Sequence, residues 1–170
     1  MRGHLETENV RNNSVTYRAM QPEDFGVTRK HRMIAGTVVN NSGKRVIPMT
    51  FYRCKHCGQI VAIVKETKVP IKCCGEDMEE IIPGTTDAAV EKHVPVLSVS
   101  DGKAVVTVGS VAHPMLPEHY IEWIAIVTKN GNQRVILKPD QEPKAEFALL
   151  PGDEVLEVYA YCNLHSLWKA

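Results

Sequence analysis

The chain has 170 residues, enough for one ordinary domain or two small ones. Its 20 basic and 20 acidic residues give a formal net charge of +0, which argues against a nucleic-acid binder, since such proteins carry a basic excess or patch. No apolar run approaches the roughly 18 residues that span a bilayer, and the N-terminus lacks the apolar segment of a secretory signal. We therefore expect a cytoplasmic protein that binds neither nucleic acid nor membranes.

Residues 1–48 are polar and irregular, and no motif in them indicates chemistry. Met49 follows and begins an apolar-polar pattern, so we treat residues 1–48 as an N-terminal extension of unknown function. Two interpretations stay open. Either Met49 is the natural start of the protein, or the extension is a weakly structured arm.

Four of the five cysteines lie close together in residues 49–84: Cys54, Cys57, Cys73 and Cys74. Segments below about 40 residues rarely bury enough apolar surface to fold unaided, so something must cross-link this one. Four thiolates suit zinc or a mononuclear iron. Because Cys73 and Cys74 are adjacent, their side chains diverge, and we expect binding through both to distort the tetrahedron and strain the backbone. His56, inside the CKHC motif, would be surplus as a fifth ligand.

From about residue 93 the sequence becomes a series of short strand patterns separated by turns. Asp101-Gly102 and Asn130-Gly131 are strong hairpin signals, and Pro151-Gly152 marks another turn. No segment has the pattern of an amphipathic helix. Residues 85–170 are therefore predicted to form an antiparallel β-sandwich, and residues 83–89 read as the linker to it.

Four histidines and the fifth cysteine lie at strand ends or in loops of this region. His93 is predicted to open the first strand, His113 and His119 lie in AHPMLPEHY, and Cys162 and His165 lie in YCNLH. Taken singly, each histidine is more often an ordinary surface or core residue. Together they exceed the four ligands of a structural zinc site, and five ligands leave an octahedral metal one open position. Cys162 and His165 can share one target only if the chain turns at Asn163.

The stretches TTDAAVEKHVPV, HPMLPEHYIEWI and YCNLHSLWK, with YRCKHCG and CCGEDM, closely resemble desulfoferrodoxin, the two-iron form of superoxide reductase. The resemblance runs from about Met49 to Ala170. It implies an all-β protein in which a small desulforedoxin-like (rubredoxin-like) metal knuckle at 49–84 precedes an immunoglobulin-like β-sandwich at 85–170. It also implies two mononuclear iron sites. Centre I has the ligands Cys54, Cys57, Cys73 and Cys74, and centre II has His93, His113, His119 and His165 as equatorial ligands and Cys162 as axial ligand.

The resemblance further implies the reaction, in which superoxide, one electron and two protons give hydrogen peroxide. Glu91 would ligate the ferric resting state, and Lys92 would attract the anionic substrate and orient a proton-donating water. A rubredoxin-type electron donor and a homodimer are implied as well. The family often has Gly where this chain has Ser166, and we expect the difference to matter little, since serine fits a C-terminal turn.

Two other functions stay open on the residues alone. One is a non-catalytic iron electron-transfer protein, and the other is a structural zinc module fused to a binding sandwich. Cys162 discriminates between them, because a carrier needs no vacant metal position and a zinc protein has no ferric–thiolate absorption.

Overall fold

The computed structural model describes residues 38–39, 45–46 and 48–170, so the predicted N-terminal extension lies almost entirely outside the described residues. None of the helices in this part of the chain has the length and apolar character of a membrane span. The elements in chain order are β1 (Val38–Val39), β2 (Arg45–Val46), β3 (Phe51–Arg53), β4 (Ile60–Ala62), β5 (Lys72–Cys73), β6 (Glu76–Asp77), β7 (Glu79–Glu80), α1 (Val90–His93), β8 (Pro95–Ser100), β9 (Lys103–Val108), β10 (Ile121–Thr128), β11 (Asn132–Ile136), β12 (Lys144–Ala148), β13 (Val155–Cys162) and β14 (Ser166–Lys169).

The strands from β8 onward form two antiparallel sheets, ordered β11-β10-β13-β14 and β12-β9-β8. Asp101 and Gly102 join β8 to β9 with φ angles of 49° and 71°, the left-handed pair that a two-residue hairpin requires. The prediction of an immunoglobulin-like antiparallel sandwich is therefore confirmed.

The two sheets differ in how their strands are buried. In β12, buried Ala145 and Phe147 alternate with exposed residues, because one face of this sheet meets solvent. In β10 and β13 the last six residues of each strand are all buried. One set, which includes Ile124, Ile126 and Ala160, fills the core between the sheets. The opposite face of the same strands must therefore be covered by another part of the chain.

That cover is provided by the cysteine-rich segment. Phe51 is 3% exposed, and its ring centroid lies 5.1 Å from that of Trp123 and 5.4 Å from that of Tyr159. Met49, Ile60 and Ile81 pack against the same cluster. The segment thus packs these four apolar side chains against the sandwich, so metal binding is not its only source of stability.

A buried carboxylate joins the segment to the same face of the sandwich. Glu157 is 6% exposed and accepts hydrogen bonds from the Tyr159 hydroxyl and the Lys169 ammonium, each at 2.7 Å, and from the Met49 amide at 3.4 Å. Burial, followed by this bond to Glu157, raises the pKa of Tyr159. Burying a charge costs little only when it is paired and hydrogen-bonded, which Glu157 achieves here.

Two elements differ from the sequence prediction. His93 does not open a strand but ends the one-turn helix α1, in which the Val94 amide donates to the Val90 carbonyl at 3.0 Å. After His165 the chain does not simply end in a turn, because Ser166–Lys169 forms β14, which pairs with β13. Both elements have four residues, too few for a periodic apolar pattern.

Candidate metal centres

Five predicted ligands converge at one end of the sandwich. His93 comes from α1, His113 from the loop after β9, His119 from the loop before β10, Cys162 from the end of β13 and His165 from the following turn. One potential ligand atom from each of these residues lies within 4.8 Å of all the others. His93, His113 and Cys162 are buried, whereas His119 and His165 are partly exposed.

Backbone carbonyls orient two of the imidazoles. His93 Nδ1 lies 2.7 Å from the Ala89 carbonyl and His113 Nδ1 lies 2.6 Å from the Pro114 carbonyl, so each Nδ1 carries the proton and each Nε2 presents a lone pair inward. The two Nε2 atoms are 3.1 Å apart, and His93 Nε2 is 2.9 Å from His165 Nδ1. Metal–nitrogen bonds of about 2.1 Å at right angles place neighbouring nitrogens about 3.0 Å apart. The spacing fits a shared cation.

The four rings form a square. Adjacent ring centroids, in the order His93, His113, His119, His165, are separated by 4.7, 4.6, 4.8 and 4.7 Å. His93 and His119 face each other across the square at 6.3 Å. The Cys162 sulfur lies 3.7 Å from His165 Nδ1 and is the fifth potential ligand of the cluster.

The electrostatics of these groups also suit a metal. Burial lowers the pKa of His93 and His119, and it lowers that of His113 to about 4, so these three imidazoles are neutral near pH 7. Burial raises the pKa of the Cys162 thiol, and hydrogen bonds from the backbone at His165 and Leu164 oppose the rise. The buried His119 Nε2 has no hydrogen-bond partner among the residues that the structure describes. A cation would give this nitrogen a partner and would stabilise the Cys162 thiolate, so the residues present fit a bound metal.

Asn163 does more than permit the turn expected of it. Its backbone amide donates to the Tyr120 carbonyl at 3.2 Å, its Oδ1 accepts from the Tyr120 amide at 3.0 Å, and its Nδ2 donates to the Glu118 carbonyl at 3.0 Å. Asn163 therefore ties both residues that flank His119 to the segment that carries Cys162 and His165. No signal in the sequence indicates these bonds, because they join residues distant along the chain.

Glu91 and Lys92 lie on α1, immediately before His93, and both are exposed. The helix is attached to the following loop, where the Val111 amide donates to the Glu91 carbonyl at 3.0 Å and the Gly109 amide donates to the Val94 carbonyl at 3.1 Å. Burial is the main reason for the lowered pKa of His93 and His119, and the charge of Lys92 lowers both further. Lys92 therefore acts electrostatically on the centre, whereas the Glu91 carboxylate is not among the five clustered ligands.

The four-cysteine cluster forms a second candidate centre. Cys57 Sγ lies 3.6 Å from Cys73 Sγ, which lies 3.9 Å from Cys74 Sγ. Four metal–sulfur bonds of about 2.3 Å in a tetrahedron separate the sulfurs by about 3.8 Å. Hydrogen bonding from the Cys57 backbone is the largest cause of the lowered pKa of Cys54, about 6, which favours its thiolate.

The local backbone of this centre is strained at one cysteine. Cys74 has a φ of 52°, in the left-handed region that non-glycine residues rarely adopt, and this is the strain expected of the adjacent pair. His56 Nε2 lies 3.0 Å from a Glu76 carboxylate oxygen and is not among the clustered ligand atoms.

The fold and the two centres define a class: an all-β protein with one four-thiolate site and one site of four imidazoles and a thiolate. The family model described as Desulfoferrodoxin matches residues 85–170, and the one described as Desulfoferrodoxin, N-terminal domain matches residues 48–81. The chain belongs to the desulfoferrodoxin family, which confirms the resemblance seen in its motifs.

Individual relatives agree with the family match. A desulfoferrodoxin homolog from Archaeoglobus fulgidus is 46% identical over 122 residues, covering 72% of this chain and 96% of the relative. The desulfoferrodoxin of Nitratidesulfovibrio vulgaris is 46% identical over 119 residues, covering 70% of this chain and 93% of the relative. The crystal structure of the superoxide reductase from Treponema pallidum has a TM-score of 0.62 and 39% identity, covering 72% of this chain and 98% of that one.

Proposed function

We propose that this chain is a superoxide reductase, an oxidoreductase that protects the cell from oxidative stress. Superoxide takes up one electron and two protons and leaves as hydrogen peroxide. The observation that carries the proposal is the square of four imidazoles with a buried cysteine beside it as fifth potential ligand. An octahedral metal bound this way has one position left for substrate, which an electron carrier does not need.

Iron held by these five residues would supply the electron that superoxide accepts. As metal ligands the four imidazoles would be neutral and Cys162 would be a thiolate, so the ligand set would carry a single negative charge. Cys162 is 0% exposed, so its thiolate is shielded from water and from solvent oxidants. We propose that His93, His113, His119, His165 and Cys162 bind this iron, and that Cys54, Cys57, Cys73 and Cys74 bind a second one.

Lys92 is proposed to attract superoxide and to orient a water that donates a proton to the product. Support comes from its exposure and from its charge, which acts on both His93 and His119. Lys92→Ala should slow superoxide reduction and flatten its dependence on ionic strength, as measured by stopped-flow at several salt concentrations. Lys103→Ala is the matched control, because Lys103 pairs with Glu146 at an exposed site on β9 and β12. Equal effects of the two substitutions would rule out the role of Lys92.

Glu91 is proposed to ligate the oxidised centre and to leave on reduction. It precedes Lys92 on the same exposed turn, and its carboxylate acts electrostatically on His93. Glu91→Ala should change the visible spectrum of the oxidised protein and leave that of the reduced protein unchanged. An unaltered oxidised spectrum would exclude this role.

We also propose two structural units after the extension 1–48: residues 49–84 for centre I and residues 85–170 for centre II. The separate family matches and the separate sheets of β3–β7 and β8–β14 support this division.

Centre I is proposed to be secondary for turnover. A Cys73→Ser, Cys74→Ser double variant should lose more stability than activity, measured by urea denaturation and superoxide consumption on protein with centre II loaded.

For partners and location we propose a rubredoxin-type electron donor, a homodimer and the cytoplasm, with no binding to nucleic acid or membranes. Each superoxide consumes one electron, so a donor protein must replace it. Val64 and Val69 on the small unit are 93% and 73% exposed, and covering them would favour a dimer. None of the five cysteines, all of which the structure describes, forms a disulfide, which is the state that the cytoplasm maintains.

The test of the proposed centre is metal analysis combined with a visible spectrum. The chain should hold two irons, and the oxidised protein should show a thiolate absorption band that disappears in Cys162→Ser. Circular dichroism should show that the sandwich of this variant is intact. Zinc in both sites, or a spectrum that does not depend on Cys162, would contradict the proposal.

A further inference from the structure

Trp168 contacts two of the proposed ligands of centre II. It lies on β14 and is 4% exposed. Its ring centroid is 4.9 Å from that of His93, with 24° between the ring planes. Its indole Nε1 donates a hydrogen bond to the His165 carbonyl at 2.9 Å. One side chain therefore packs on one ligand ring and bonds the backbone of the neighbouring ligand in the square.

Each contact controls a different degree of freedom. The Ala89 carbonyl fixes one atom of the His93 ring, and the parallel indole restricts the tilt of the ring about that point. His165 faces the centre with Nδ1, the ring nitrogen nearer its own backbone, so a shift of the backbone moves the ligand atom directly. The bond from Trp168 to the His165 carbonyl limits such a shift.

We propose that Trp168 is a positioning residue that sets the geometry of the His93–His165 edge of centre II, and through it the iron affinity and reduction potential. The inference rests on the proposed function, since it takes these residues to be iron ligands. The alternative is that Trp168 only fills space in the core. Groups that orient metal ligands typically change metal affinity about 10–100-fold when they are removed, whereas a space-filling residue changes stability alone.

The chain contains a matched control. Trp123, the other of its two tryptophans, is also buried, at 7% exposure. Its ring lies parallel to that of Tyr161 with 5.3 Å between centroids and packs on Phe51, so its aromatic partners are not proposed ligands. Replacing Trp123 removes an indole of the same size from the same sheet without altering an aromatic contact to the centre.

The experiment uses the iron-loaded full chain and the variants Trp168→Phe, Trp168→Leu and Trp123→Phe. Iron retention is measured by chelator competition, followed at the visible band that Cys162→Ser removes, and the midpoint potential is titrated at the same band. Trp168→Leu should weaken retention about 10–100-fold. Trp168→Phe keeps an aromatic ring beside His93 but loses the bond to His165, and it should show a smaller loss with a shifted potential. Trp123→Phe should leave both quantities unchanged.

A folded Trp168→Leu protein with wild-type retention and potential would overturn the inference, as would an equal effect of Trp123→Phe. If Trp168→Leu does not fold, Trp168→Phe decides the question, and wild-type values in that variant would overturn it. Failure of the proposed function gives a different result, because the wild-type chain would then show no band that depends on Cys162.

Discussion

Gly109→Ala should disturb centre II although Gly109 is not a ligand. Gly109 follows β9 and has a φ of 81°, and its amide donates a hydrogen bond to the carbonyl of Val94, the residue after α1. A Cβ atom at this position would lie 2.3 Å from the Val111 carbonyl oxygen and 2.7 Å from that of Lys92. Real Cβ atoms do not approach oxygen this closely, so α1 or the loop must move.

The expected loss of stability has two parts. An alanine in the left-handed region costs about 1–2 kcal/mol. Inserting a methyl group into occupied space adds about 1–3 kcal/mol, and both contacts are to backbone atoms, which yield less easily than a flexible side chain. The total is about 2–5 kcal/mol. Since α1 carries His93, relief of the clash should also displace this imidazole and reduce iron retention at centre II.

Gly152→Ala is the matched control for Gly109→Ala. Gly152 has a nearly equal φ of 78°, and an added Cβ there would meet nothing within 4 Å. Both variants place an alanine in the left-handed region, but only Gly109→Ala adds a steric clash, so urea denaturation of the two separates the backbone strain from the clash. The visible band that depends on Cys162 reports iron retention. Gly109→Ala should lose more stability than Gly152→Ala and should alone lose iron. Equal stabilities with full iron retention in both would refute the reasoning.

Three further predictions concern single residues and pH. Ser166 has a φ of 60°, in the left-handed region that glycine adopts without strain. Ser166→Gly should therefore raise the free energy of unfolding by roughly 0.5–1 kcal/mol in urea denaturation, whereas Ser166→Ala should not. An unchanged unfolding midpoint for Ser166→Gly would contradict the expected strain. Asn163→Ala removes the side-chain partner of the Tyr120 amide and the Glu118 carbonyl, which should lower the free energy of unfolding by about 1–3 kcal/mol and also lower iron retention. Wild-type values for both quantities would exclude the bridging role of Asn163. Burial lowers the pKa of His113 from 6.5 to about 4, so below pH 6.5 the unfolded metal-free chain binds more protons than the folded one. Stability of the metal-free protein should therefore fall from pH 6.5 towards pH 4, and a midpoint that stays constant over this range would contradict the burial of neutral imidazoles.

The sandwich could be predicted because the sequence signals for its turns and strands lie between neighbouring residues. Turn pairs such as Asp101-Gly102 have backbone preferences that act within two residues, and the strands between them are long enough to show a pattern. The cysteine and histidine motifs are local as well, and the structure brings together the five residues proposed for centre II and the four proposed for centre I. The assignment to iron needed the family resemblance, because spacing alone also permits zinc at centre I.

The parts that could not be predicted depend on contacts between distant residues. The packing of Phe51 on Trp123 explains why β10 is buried on both faces, but neither segment specifies the other in sequence. The three hydrogen bonds of Asn163 and the two contacts of Trp168 likewise exist only once the loops have assembled. Ser166 was expected to matter little because serine suits turns, and its left-handed backbone was visible only in the structure.

The most direct test of the central claim is the stoichiometry of the products. Superoxide is generated at a known rate and supplied to the reduced full chain, and hydrogen peroxide and dioxygen are measured together. Reduction predicts one hydrogen peroxide for each superoxide consumed and no release of dioxygen, with this activity lost in Cys162→Ser. Release of one dioxygen with each peroxide would indicate a dismutase, and no consumption of superoxide by the iron-loaded protein would indicate an electron carrier; either result would contradict the account.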